Sequence, residues 1–259
     1  AFVFCLLFSV SVQAKDVLPT NTTTASKGCT LVGVEGKYIT DAQNVLRRIN
    51  EIRYEACEEG VPDPRDKSGN TKLTIADYKE IKWSYDLEYI ARIRAAEASV
   101  VLGHARPNGE SSLTQSTITS PNKERSWGEN ITFDYEEKML SGVNVWYTEK
   151  DAWVNQTAGA VTGHYTAMIN PNFNYVGIGT FVNPNTVYQS DSGYKCITAG
   201  EFSYKENLDE TKNEMEGECI QTIEVKDEYL SLKLNLEQTD IEAGESVQAN
   251  ASMLVTNPS

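Results

Sequence analysis

Two histidines occur in the 259 residues, His104 and His164, and each stands among small neighbours, in Gly103-His104-Ala105-Arg106 and Gly163-His164-Tyr165-Thr166. Two glutamates have equally unusual settings: Glu129 in Trp127-Gly128-Glu129-Asn130-Ile131, and Glu149 in Trp146-Tyr147-Thr148-Glu149. Neutral imidazole nitrogens suit Zn²⁺ or another borderline divalent cation, and a carboxylate can orient each ring N–H or contact a metal-bound water. With His104 and His164 as the strong nitrogen ligands, water or carboxylate must complete the coordination. Affinity then falls as the imidazoles protonate at about pH 6. The same four side chains also suit a purely structural role, a buried His/Glu hydrogen-bond network, because buried charges must be paired.

Other chemistry is poorly supported. The chain carries no HExxH, no GxSxG, no phosphate-binding glycine loop and no calcium-loop pattern. Ser111 and Ser112 are candidate nucleophiles, but nothing in the sequence places either near a histidine. Arg106 fits an anion site at a cleft rim or a structural salt bridge equally well. Trp83, Trp127, Trp146 and Trp153 read as core residues. Four N-x-S/T sequons (Asn21, Asn130, Asn155, Asn250) are within what chance produces in a Thr-rich chain.

The elements that position these residues follow from periodicity. Ala42, Val45, Leu46, Ile49, Ile52 and Ala56 repeat every 3.6 residues, and Gly60 with Pro62 stops that helix. A second helix runs from about Asp86 through Ile90 and Ala98 to Gly103, which puts His104 just past a helix end. Residues 105–126 show no period and read as a long surface loop. The pattern predicts a third helix over 135–154, with Glu149 beside its apolar stripe. Strands are predicted at 164–169, 175–182 and 194–202, separated by Asn-Pro turns. Helices followed by antiparallel strands indicate an α+β fold.

Residues 1–14 (AFVFCLLFSVSVQA) are uncharged and apolar, end in a small-residue cleavage pattern, and predict a signal peptide. Residues 15–39, opening on the polar KDVLPTNTTTASKG, read as a flexible lead-in. No later stretch approaches the roughly 20 apolar residues of a membrane helix. The net charge of −14 disfavours nucleic acid and anionic membrane surfaces as partners. After the signal, Cys29, Cys57, Cys196 and Cys219 remain. An even count in an exported chain indicates disulfides in one of three pairings, with Cys29–Cys57 and Cys196–Cys219 favoured because they close modest loops. Residues 205–218 read as an acidic linker. Predicted strands at 220–225, 230–236 and 246–253 make 219–259 a β-rich tail, the start of an immunoglobulin-like module.

Taken together, the motifs resemble the CAP superfamily of cysteine-rich secretory, antigen 5 and pathogenesis-related proteins. GHYTAMI at 163–169 is similar to the family's strand signature, and GENI at 128–131 matches a second signature in full. His104-Ala105-Arg106 is similar to an H-x-R element, and WYTE at 146–149 to the helix segment with the second glutamate. The four occur in the family's order over residues 40–204. The resemblance implies a three-layer α-β-α sandwich with a central antiparallel sheet. It also implies a cleft lined by His104, Glu129, Glu149 and His164, where the two imidazoles can hold a divalent cation. Ala167 and Asn170 depart from the Gln and Trp of many members, and the 105–126 loop is longer than in compact ones. The amino end and the tail look like bacterial SCP-like secreted proteins.

Two functions follow as expectations. One is a non-catalytic secreted module that binds an extracellular lipid, peptide or protein. The other is a metal-assisted, peptidase-like hydrolase in which Glu129 or Glu149 serves as general base. A third reading makes the domain a spacer.

Overall fold

Helix α1 (Ala42–Glu59) forms where the sequence period places Val45, Ile49, Ile52 and Ala56 on one stripe, and all four are fully buried. Gly60 ends it at φ +65°, a conformation that glycine reaches without steric cost, and donates its N–H to the Ala56 carbonyl. The computed structural model describes residues 15–186, 194–208, 212, 215–236 and 249–255. The predicted signal peptide at 1–14, part of the 205–218 stretch and residues 246–248 of the last predicted strand lie outside the described residues.

The main sheet has the strand order β1-β7-β2-β5-β6-β4. These strands are β1 (Asp16–Leu18), β2 (Cys29–Ile39), β4 (Glu129–Asp134), β5 (Tyr175–Val182), β6 (Cys196–Ser203) and β7 (Gly217–Lys226). Its body is antiparallel; the short β1 and β3 (Lys82–Trp83) add parallel pairs, to β7 and β5. On one face lie α1, α3 (Met139–Tyr147) and α5 (Gly163–Ile169), which bury Val143, Trp146, Tyr165 and Met168 against Val176, Ile178 and Phe202. On the other lies α2 (Tyr85–Ala98), whose Ala95, Ala96 and Ala98 share a core with Tyr38, Ile131, Phe181 and Ile197. The molecule is therefore an α+β fold with helices on both faces of a multi-stranded sheet.

Helix α2 is buried on nearly every side, which requires its backbone to approach the sheet closely. Gly177 and Gly179 of β5 permit this. A Cβ on Gly177 would lie 2.0 Å from the Glu88 nitrogen, and one on Gly179 would lie 2.4 Å from the Arg92 nitrogen. Ser84 caps the helix by accepting the Leu87 N–H at 3.0 Å.

Four expectations are corrected. Residues 163–169 form helix α5, not a strand: Tyr165, Met168 and Ile169 are buried at helical spacing, and the carboxylate of Glu149 accepts the His164 and Tyr165 backbone N–H groups at its start. The helix predicted over 135–154 is divided into α3 and α4 (Lys150–Val154), and 129–134 is strand; Thr148 bonds back to the Val145 carbonyl at 2.7 Å, and Glu149 sits at the junction. The lead-in at 15–39 holds β1 and β2, and β2 pairs with β7 from Cys29↔Lys226 to Tyr38↔Gly217. The first strand of the expected tail thus belongs to the main sheet, because Ile223 and Val225 are buried in the α2-side core. Among the described residues only β8 (Leu230–Leu236) and β9 (Ala249–Val255) form a separate two-stranded sheet.

The fourth correction concerns the disulfides. Cys29, Cys57, Cys196 and Cys219 are all free thiols. Cys196 pairs with Val182 of β5, whereas Cys219 faces Gly36 of β2, so neighbouring strands separate them. Cys57 lies in the α1-side core, and Cys29 sits opposite Lys226. No helix of the described residues is long and apolar enough to cross a membrane.

Candidate functional site

The two histidines reach one cavity from opposite layers. Successive residues of β4 point to opposite faces of the sheet. Glu129 faces the α2 side and Asn130 the α5 side, where its amide donates to the His164 carbonyl at 2.9 Å. Around this end of β4 lies a cavity of about 390 Å³ lined by His104, Glu129, Asn130, His164 and Thr166, with Pro64, Leu113, Val161 and Phe173 as its apolar part. Ala167 and Asn170, the two departures from the family pattern, also line it. A larger groove of about 600 Å³ runs along α1 past Tyr54 and Tyr78 but contains none of the four predicted residues.

His104 follows Gly103, which turns the chain at φ +138°, and its backbone is pinned by the Ser112 N–H to His104 carbonyl bond of 2.9 Å. Its Nδ1 lies 2.7 Å from Glu129 Oε1. Glu129 is wholly buried and also accepts Arg94 Nε–H at 2.6 Å. Arg94 continues to Glu97 at 2.7 Å and to the Gly103 carbonyl at 2.7 Å, and Arg106 closes the network on Glu97 at 2.7 Å. Arg106 also binds Glu110 and Thr117, which assigns it to the structural salt bridge and not to an anion site. Burial pushes the Glu129 carboxyl up, but Arg94 and His104 outweigh it and hold it below the ordinary glutamate value.

The second pair is built differently. His164 Nδ1 lies 2.6 Å from Glu149 Oε1, while Glu149 Oε2 accepts the His164 and Tyr165 backbone N–H groups at 2.9 and 3.1 Å. Burial again raises this carboxyl, and the bonds from His164 and Tyr165 outweigh it to give a net lowering. Glu149 stands behind His164 and does not itself line the cavity.

Both carboxylates are ionised acceptors, so each Nδ1 carries the proton and donates it. Each neutral ring then has its lone pair on Nε2. Among the described residues neither Nε2 has a hydrogen-bond partner. This is the tautomer that a metal-binding histidine needs, with the carboxylate raising its basicity from behind. Among the described residues no group of three His, Cys, Asp or Glu side chains is arranged to hold a metal.

The remaining candidates fall away. Ser112 is buried, and among the described residues no hydrogen bond joins the hydroxyl of Ser111 or Ser112 to either imidazole. None of the four tryptophans lines the cavity; Trp146 is fully buried, and Trp83 and Trp153 donate to Glu88 and to the Pro62 carbonyl. Asn130 is 1% exposed and bonded, so that sequon is not a surface acceptor. Sequence reasoning missed Arg94, Glu97 and Glu201. The signal for Glu201 was present as the lone charged residue in the strand Cys196–Ser203.

No curated protein matches the chain. A profile of the cysteine-rich secretory protein (CAP) family matches residues 46–201, which include all four of these side chains and more than half of the sequence. The chain belongs to the CAP family of cysteine-rich secretory proteins.

Proposed function

We propose that this protein is a secreted, non-catalytic binding module whose cleft holds a divalent cation, Zn²⁺ or a similar ion, between His104 and His164. Through the cation or the cleft rim it contacts an extracellular lipid, peptide or protein. The observation that carries the reading is the pair of Nδ1–carboxylate hydrogen bonds, which leave both Nε2 atoms as available ligands on one cavity. Family membership supports the extracellular setting, since CAP proteins are typically extracellular. The apolar wall is open to a ligand, with Leu113 47% and Val161 68% exposed.

The hydrolase reading is disfavoured by the same hydrogen bonds. Glu129 is occupied by Arg94 and His104, and Glu149 by one imidazole and two backbone donors, so neither is free to take a proton from water. Calorimetric titration with Zn²⁺ at pH 7.5 and pH 5.5 tests the proposal. Binding at the higher pH that is weakened at the lower one and lost in His104→Ala/His164→Ala is expected. Absence of binding in the wild type would sink the cation role, and turnover on a peptide or ester panel would sink the non-catalytic one.

A further inference from the structure

Glu201 is fully buried on β6, directly opposite Glu129 of β4, on the face covered by α2. One of its oxygens accepts the Ser126 hydroxyl. The other, Oε1, is buried and has no hydrogen-bond partner among the described residues, while Glu129 stands directly across from it on the neighbouring strand with its charge acting on this carboxyl. Two ionised carboxylates in that relation would repel each other in a medium that screens poorly. A proton on Glu201 resolves both problems, converting an orphaned acceptor into a donor aimed at Glu129.

The charge inventory agrees. The charged groups facing Glu201 are Glu129 from β4 and Arg94 from α2; Glu97 and Arg106 form the next layer. Arg94 and Arg106 balance Glu97 and Glu129. A neutral Glu201 leaves this buried cluster without net charge, whereas an ionised one adds an uncompensated negative charge, which is costly to bury. Burial first, and then the charge on Glu129, hold the Glu201 carboxyl well above the ordinary value. Glu129 can accept everything offered to it: Arg94 donates twice and His104 once, and Glu201 takes the last of roughly four lone-pair directions of a carboxylate.

We propose that Glu201 is a positioning residue of the cleft, a neutral carboxylic acid that donates to Glu129 and so holds that carboxylate in the orientation that locks the His104 ring. The chain Ser126–Glu201–Glu129–His104 then runs from the loop before β4, along the α2-covered face of the sheet, to the cavity. Its consequence for cation affinity rests on the cleft function proposed above.

Two variants of the full chain separate the possibilities. Glu201→Gln keeps a neutral donor for Glu129 and an acceptor for Ser126; Glu201→Leu keeps the volume and removes both. Infrared difference spectra at pH 7 are expected to show a protonated, buried carboxyl that is absent from both variants. In ¹⁵N-histidine NMR the hydrogen-bonded Nδ1 proton of His104 is expected to persist in Glu201→Gln and to be lost in Glu201→Leu, with that of His164 unchanged in both. Zn²⁺ affinity is expected to hold in Glu201→Gln and to fall about tenfold or more in Glu201→Leu. A wild type without the infrared band, or a folded Glu201→Leu with the His104 proton intact, overturns the proposal. If Glu201→Leu does not fold, the infrared band and the Glu201→Gln spectra decide it. A wild type that binds no Zn²⁺ overturns the cation role alone, since the infrared and NMR results read Glu201 without it.

Discussion

The two histidine–glutamate pairs carry the same chemistry on opposite sides of the sheet, yet different forces hold them. Glu129 is fixed by buried side-chain charges from α2, and its carboxylate is 0% exposed. Glu149 is fixed by local backbone: it sits where α3 passes into α4 and takes the first N–H groups of α5. No arginine or lysine bonds to Glu149 among the described residues. The first pair therefore depends on a long-range ion network whose members cannot be removed singly without stranding a charge. The second depends on the register of three short helices, and its carboxylate is 13% exposed, so solvent can repair a loss. A shared site can thus have one rigid half and one forgiving half.

The largest break of that comparison is expected at Arg94. Arg94→Met leaves Glu129 and Glu97 buried with one cation too few, and removing one partner of a buried pair typically costs about 3–5 kcal/mol. Urea unfolding followed by circular dichroism checks this, and a loss below about 1 kcal/mol would show that the network contributes little. Glu149→Gln is expected to cost less, about 1–2 kcal/mol, because the amide oxygen can still accept a backbone N–H while solvent reaches His164. The same unfolding curves rank the two.

The pH dependence separates the halves further. Glu129 and Glu149 both have folded-state values below their unfolded ones, so their stabilisation is complete above the unfolded carboxylate range. It is lost as pH falls through the depressed folded values. Glu201 has the opposite sign. Its folded value is raised, so its contribution is fully present below the ordinary glutamate value and is lost as pH rises towards the folded value. While the folded chain holds this extra proton, stability declines with rising pH by about 1.4 kcal/mol per unit. Glu201→Gln is expected to remove that slope between pH 5 and 7 and to be the more stable protein at pH 7. Parallel curves for the two proteins would contradict this assignment.

The smallest effect is expected at the cavity rim. Leu113→Ser and Val161→Ser change exposed side chains and should alter stability by no more than about 0.5 kcal/mol. Their value lies in binding: a ligand that uses the apolar wall loses affinity in these variants while Zn²⁺ affinity stays constant.

Much of the site was legible in the residues themselves. In a chain with two histidines, each in a glycine-led segment, the histidines mark themselves, and α1 declares itself because its apolar stripe is long and regular. Segment 163–169 misleads because seven residues rich in β-formers satisfy either period, and what decides for helix is the Glu149 carboxylate at its N-terminus. β7 reads correctly as a strand but not as a member of the main sheet. Its partner β2 lies nearly the whole chain away, and no local pattern specifies a pairing across that separation. The free thiols follow from the same cause, since short loops along the chain do not ensure that two cysteines share a strand pair.

Residue type, spacing and local periodicity therefore determined the α+β class, the helix α1 and the identity of the two histidines and two glutamates, while the resemblance of four motifs pointed to the family. Tertiary structure alone decided that each glutamate backs a particular histidine, that Arg94 and Glu97 brace one pair and backbone N–H groups the other, and that Glu201 lies against Glu129. The reason is physical: helical and strand periods are set by neighbours a few residues away, whereas hydrogen bonds between buried charges depend on which distant strands and helices the core brings into contact.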